Sequence, residues 1–180
     1  MGQLLIKALD TEIKNLKTDK VRNFVKEVLE SCNDANAVGP ASASGKYHPV
    51  SDLGEGGLIR HTKIVCRNVA TLLRTLPNYD TDSNWDVVFA SAILHDMCKF
   101  TSDDVTESNM AHPVDMAAKI RELNKEKDAD FERIADNVSK HMSRWNDVYK
   151  YVDGKQVFVK KMPTPTNVEN LLVSFADMIG

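Results

Sequence analysis

Five side chains able to bind a metal ion lie within or at the end of apolar stretches of this chain: His61, His95, Asp96, His141 and Asp177. His95 and Asp96 are adjacent and close the run Phe89, Ala90, Ser91, Ala92, Ile93, Leu94. Asp177 lies in an equally apolar stretch with Leu171, Leu172, Val173, Phe175, Ala176 and Ile179. A charged carboxylate in a core costs several kcal/mol unless something compensates it. A divalent cation is an economical compensation, so the chemistry this set could do is metal coordination. Each residue alone has a plainer reading: a buried aspartate is usually a satisfied hydrogen-bond acceptor, and a histidine on an apolar face is usually a core residue. The combination is what points to a shared site, because separate helices each contribute a member and packing can converge them.

The bulk composition bounds what such a site could serve. The chain has 180 residues, enough for one domain with one sizeable core. At 42% hydrophobic and 27% charged residues it reads as globular and not as a disordered chain. No run approaches the ~20 apolar residues of a membrane helix, and the expectation is no membrane partner. The first residues lack the basic segment and cleavage site of a signal peptide, and Ile6 stands where myristoylation wants Ser or Thr. Cys32, Cys66 and Cys98 are widely spaced and odd in number, so neither a zinc finger nor a disulfide framework is expected, and a cytoplasmic location is. A net charge of −3 argues against coating long nucleic acid by charge alone. A bound divalent ion would still reverse the local field and admit a phosphate.

Helices must carry these residues. Apolar spacing predicts a first amphipathic helix from Leu4 to Leu16 and a second through Val21, Phe24, Val25, Val28 and Leu29. Residues 33–56 are rich in Asn, Gly, Pro and Ser and read as a long loop. A third helix is expected over 57–75, with Leu58, His61, Thr62, Val65, Val69 and Leu72 on one face. A fourth should run from 84 to about 97, with Ser83 as its N-cap and Asp86 three residues on. Pro113 opens a fifth through Leu123, and Phe131, Ile134, Ala135 and Val138 stripe a sixth that ends near His141. Asp153-Gly154 between β-branched and aromatic residues predicts a small hairpin near 149–160. Thr166 and Glu169 form a capping box opening the last helix. The expected fold is all-α, a helical bundle with that hairpin, in a single domain 1–180.

The order His61, His95-Asp96, Asp177 on successive helices resembles the HD-domain metal-dependent phosphohydrolase superfamily. The local contexts resemble it too: residues 56–62 around His61, residues 92–99 around His95-Asp96 with Lys99 closing the motif, and residues 175–178 around Asp177. The resemblance covers about 46–180, the HD-domain core, and leaves 1–32 as an N-terminal helical extension. It implies that His61, His95, Asp96 and Asp177 hold one divalent metal. A branch with extra histidines holds a second ion, and His112 and His141 fall where those are expected, with Asp96 bridging. One departure is that a His-His pair common there reads Lys140-His141 here. For His112 the plainer reading is a helix cap; for His141 it is a helix-end histidine favoured by the macrodipole.

The implied activity is hydrolysis of a phosphoester by metal-activated hydroxide, in a nucleotide or a nucleic-acid end, with one or two ions. Imidazole and carboxylate together favour manganese, iron or zinc over magnesium. Asp96 and Lys99 are the expected catalytic residues. Lys99 stands one helical turn past His95, placed to meet a substrate phosphate. Arg60, Lys46 and Tyr47 are expected near the entrance, the cations for phosphate and the ring for stacking on a base; anchoring of the loop is the plainer role of Tyr47. Arg144 and Trp145 could line the same opening. His48 is left out of the metal set. The expected partner is a small phosphorylated substrate such as a nucleotide, or a short nucleic acid. The rival readings are a catalytically silent nucleotide-binding or regulatory module, a di-iron oxygenase on the same scaffold, and a bundle whose polar residues merely pair in the core.

Overall fold

The computed structural model describes residues 2–42, 48–79, 81–106, 108–142, 147–161 and 163–180. The fold is all-α apart from one hairpin. Its elements are α1 (Gln3–Ala8), α2 (Asp10–Lys14), α3 (Asp19–Glu30), α4 (Ala35–Val38), a 3-10 turn (Val50–Asp52), α5 (Gly57–Thr75), α6 (Asp82–Leu94), α7 (His112–Leu123), α8 (Ala129–Ser139), β1 (Asp147–Val152), β2 (Lys155–Lys161) and α9 (Val168–Met178).

The centre of the molecule is α6. Every residue from Trp85 to Leu94 is buried, as expected of a helix that is apolar all round. Helices α3, α5, α8 and α9 pack around it, and α7 packs on α8. One core runs from Leu5 to Ala176, so the N-terminal helices share it with the later ones. The C-terminal end of α6 therefore delivers His95 and Asp96 to the middle of the structure, both essentially inaccessible to solvent. No helix among the described residues is long and apolar enough to cross a membrane.

Helix α5 spans 57–75 as the spacing predicts, and α7 begins one residue before Pro113. The hairpin forms too, with Asp153 and Gly154 both at positive φ (51° and 75°), the pair of conformations a tight two-residue turn needs. Four local expectations are corrected. The first helix breaks at Leu9 into α1 and α2. Helix α6 starts at Asp82 because Thr81, not Ser83, accepts the Asn84 N–H. Asp86 does not serve α6 at all; its carboxylate accepts from the Lys17 and Thr18 amides and the Thr18 hydroxyl, fixing the start of α3. Finally, Asn167 caps α9 by accepting from the Asn170 amide, while Glu169 is drawn off to pair with Arg133.

Candidate metal centre

Each candidate ligand is placed by the end of an element. Helix α5 starts where Gly56 adopts a left-handed conformation (φ 69°) and Gly57 passes so close to the 3-10 turn that a Cβ would lie 1.9 Å from the Asp52 carbonyl oxygen. Glycine is the residue that permits this approach, and it sets the first turn of α5, one turn before His61. Helix α6 ends at Leu94, and 95–99 continue as tight turns through Met97 N–H to Leu94 O and Lys99 N–H to Asp96 O. Asn36 clamps the next residue, donating to Phe100 O and accepting from Phe100 N–H, both at 2.8 Å. His112 is the first residue of α7, His141 follows the end of α8, and Asp177 is in the last turn of α9. A buried chain, Ser91–Asn137–Asn170, hydrogen-bonds α6 to α8 and α8 to α9 and so fixes His141 and Asp177 relative to His95.

These ends converge into two groups of three donors. In the first, His61 Nε2 is 2.9 Å from Asp177 Oδ1, His95 Nε2 is 3.4 Å from His61 Nε2, and His95 Nε2 is 3.6 Å from Asp177 Oδ1. In the second, His112 Nε2 is 2.8 Å and His141 Nε2 3.4 Å from Asp96 Oδ1, with the two ring nitrogens 3.3 Å apart. The other oxygen of Asp96, Oδ2, is 3.5 Å from His95 Nε2. One carboxylate thus spans both groups. Sequence reasoning placed all six residues on a common site, and the structure brings all six together.

The donor chemistry fits a cation. His95, His112 and His141 each use Nδ1 toward a backbone carbonyl three residues back, Ala92, Asn109 and Val138. A carbonyl only accepts, so these nitrogens carry the protons and the Nε2 atoms present lone pairs. The lone pairs of His112 and His141 then face each other across 3.3 Å. A cation between them removes that conflict, and the Nδ1 contacts are the outer hydrogen bonds that orient metal-bound imidazoles. In each group the point equidistant from the three donors lies about 1.9 Å from each, close to a zinc–nitrogen bond of roughly 2.0–2.1 Å.

The electrostatics agree. Burial, only partly offset by Asp96 and Asp177, pushes His95 down to about 4, and burial also lowers His112. Burial acts against His141 as well, but Asp96, Asp177 and the Val138 carbonyl outweigh it and raise its pKa. For Asp96 burial favours the neutral acid, yet Lys99, His95 and His112 prevail and hold the carboxyl well below its usual range. Asp177 is depressed in the same way, with His61 the strongest of the groups opposing burial. Both carboxylates are therefore anionic donors at neutral pH.

The remaining expected site residues divide. Lys99 is at the site, its ammonium 2.7 Å from Asp96 Oδ2, but α6 has ended before it, so it arrives by a turn and not along a shared helix face. Arg60 reaches into the preceding loop: Nε donates to Ser51 O and lies 3.8 Å from buried Asp52 Oδ1, and a terminal nitrogen donates to Glu55 O. These bonds tie Arg60 to the loop that precedes α5, with part of its side chain exposed. Lys46, Tyr47, Arg144 and Trp145 lie outside the described residues. His48, excluded from the metal set on sequence, stands edge-on to His61 with ring centroids 4.5 Å apart, and burial, His61 and Lys99 push it down to about 4. Its place in an aperiodic loop gave no signal of this. Asn137 and Asn170 were also missed; a polar residue on the stripe of Ile134, Ala135 and Val138 was the available sign.

An all-α scaffold whose helix ends gather four imidazoles and two carboxylates into a paired centre defines a class of metal-binding helical domain. Residues 58–179 match the HD domain, and the chain belongs to that family, a superfamily of metal-dependent hydrolases. The match takes in His61, His95, Asp96, His112, His141 and Asp177. No curated protein and no solved structure matches the chain.

Proposed function

We propose that this chain is a phosphohydrolase in which His61, His95 and Asp177 hold one divalent ion, His112 and His141 a second, and Asp96 joins the two. The observation that carries the reading is the position of Asp96: Oδ1 lies 2.8 Å from His112 Nε2 and Oδ2 3.5 Å from His95 Nε2. Such a pair of ions, when bound, supplies Lewis acidity to a phosphoryl oxygen and makes water acidic enough to act near neutral pH. The imidazole-rich donor set favours manganese, iron or zinc over magnesium.

The chain's own residues supply positioning and charge. The three Nδ1–carbonyl contacts hold rings against rotation, so the donors need no rearrangement as substrate binds. Lys99 gives one N–H to Asp96 Oδ2, and an ammonium has two more donors to offer a phosphate oxygen. The substrate is a phosphoester of a nucleotide or of a nucleic-acid end; the net charge of −3 favours the smaller of these. The reduced cysteines fit a cytoplasmic setting.

The test is a metal-by-substrate screen. Chelator-stripped protein is reloaded with manganese, iron, zinc or magnesium and assayed on mononucleotides, cyclic nucleotides and short oligonucleotides. Metal-dependent hydrolysis of at least one substrate is expected in the wild type and its loss in Asp96→Ala. Full activity in the variant, or no metal-dependent hydrolysis across the panel, contradicts the proposal.

A further inference from the structure

Among the described residues outside the six metal-type side chains, one polar group at the centre has no hydrogen-bond partner. His48 Nδ1 is buried and makes no hydrogen bond to any described residue. Buried polar atoms are satisfied in the great majority of cases, and an exception calls for a reason. The ring is not loosely placed. Its chain continues into the 3-10 turn, which is tied down through Asp52 N–H to Pro49 O, Ala41 N–H to Asp52 O and Arg60 to Ser51 O. The ring itself packs edge-on against His61, at an interplanar angle of 80°.

His48 belongs to neither three-donor group, so it stands beside the metal positions without being a ligand to them. The charged groups within electrostatic range are Lys99, Asp96 and Asp177, together with His61. When the two carboxylates are neutralised by bound cations, the field around His48 is positive, with the Lys99 ammonium adding to it. A group that completes Nδ1 in that field is anionic and carries oxygen acceptors.

We propose that His48 is a substrate-binding residue, donating from Nδ1 to a non-bridging oxygen of the phosphoryl group held over the metal centre. The assignment rests on the phosphohydrolase reading above and adds a contact to it. The proton sits on Nδ1 in the complex, the tautomer that makes this nitrogen a donor. His48 and Lys99 then approach the phosphoryl group from different segments of the chain, which fixes its orientation as well as its charge.

The probe is inorganic phosphate, titrated calorimetrically into the metal-loaded full chain, with metal content measured on the same samples. His48→Phe keeps an aromatic edge against His61 and removes the nitrogen; His48→Asn keeps a donor at the δ position. Hydrogen bonds to charged groups are strong enough that His48→Phe should weaken phosphate about tenfold or more, with metal content unchanged, and His48→Asn should recover part of that loss. Wild-type affinity in His48→Phe at equal metal content overturns this inference and leaves the phosphohydrolase reading standing. Loss of metal in His48→Phe overturns it as well, since the residue would then act through His61. Absence of any metal-dependent phosphate binding in the wild type counts against both.

Discussion

Replacing Asp96 with asparagine tests the shared carboxylate most directly. The side chain keeps its shape but loses its charge, and one of its two oxygens becomes an amide nitrogen that cannot ligate. Because Oδ1 faces His112 and His141 while Oδ2 faces His95 and Lys99, the change reaches both donor groups at once. The size of the effect follows from linkage. An ion present at a hundredfold excess over its Kd stabilises the folded state by about 2.7 kcal/mol. For a chain of this length each kcal/mol moves Tm by roughly 2–4 °C. One bound ion should therefore raise the wild-type Tm by about 5–10 °C, and two by about twice that, relative to protein in chelator. In Asp96→Asn most of that increment should vanish. The variant also strands the mostly buried Lys99 ammonium, so its metal-free melt falls too; each protein is compared with its own metal-free state. Thermal melts in chelator and in manganese, iron or zinc provide the measurement. Identical wild-type melts with and without metal, or a full increment retained by the variant, would refute the shared-carboxylate reasoning.

Two other outcomes are expected. Metal binding requires neutral imidazoles, and the two groups differ: His141 holds a proton to higher pH than a free histidine, while His95 is pushed to about 4. As pH falls from neutrality, protonation of His141 should release the ion at Asp96, His112 and His141 while His95 is still a neutral donor; metal content after dialysis at graded pH shows this, and full metal content retained down to the pH at which His95 itself takes a proton would contradict it. Asn36→Ala should leave the Phe100 amide and carbonyl buried without partners, costing about 2–4 kcal/mol; urea denaturation of metal-free protein measures it, and a change below about 0.5 kcal/mol would show that the turn after Asp96 relaxes freely.

The sequence by itself determined the helical character, the bounds of α5, the hairpin and five of the six ligand-type residues, while His112 came only from the resemblance to the HD domain. Those features are local or periodic: apolar spacing of three and four, an Asp-Gly pair, and imidazoles and carboxylates set where a core should be apolar. The motif around His95-Asp96 was legible because its residues are neighbours in the chain. What only the tertiary structure decided depends on partners far away in sequence. Asp86 looks like part of its own helix start, but the amides of Lys17 and Thr18 claim it. Arg60 looks like a free cation until the loop carbonyls of Ser51 and Glu55 are seen to hold two of its donors. His48 has no periodicity to mark it, and only the packing of its loop on α5 sets it against His61. Hydrophobic pattern says which face of a helix turns inward; where the helix ends meet, and so which polar atoms share one cation, is set by the packing of α5, α8 and α9 around α6 and of α7 on α8.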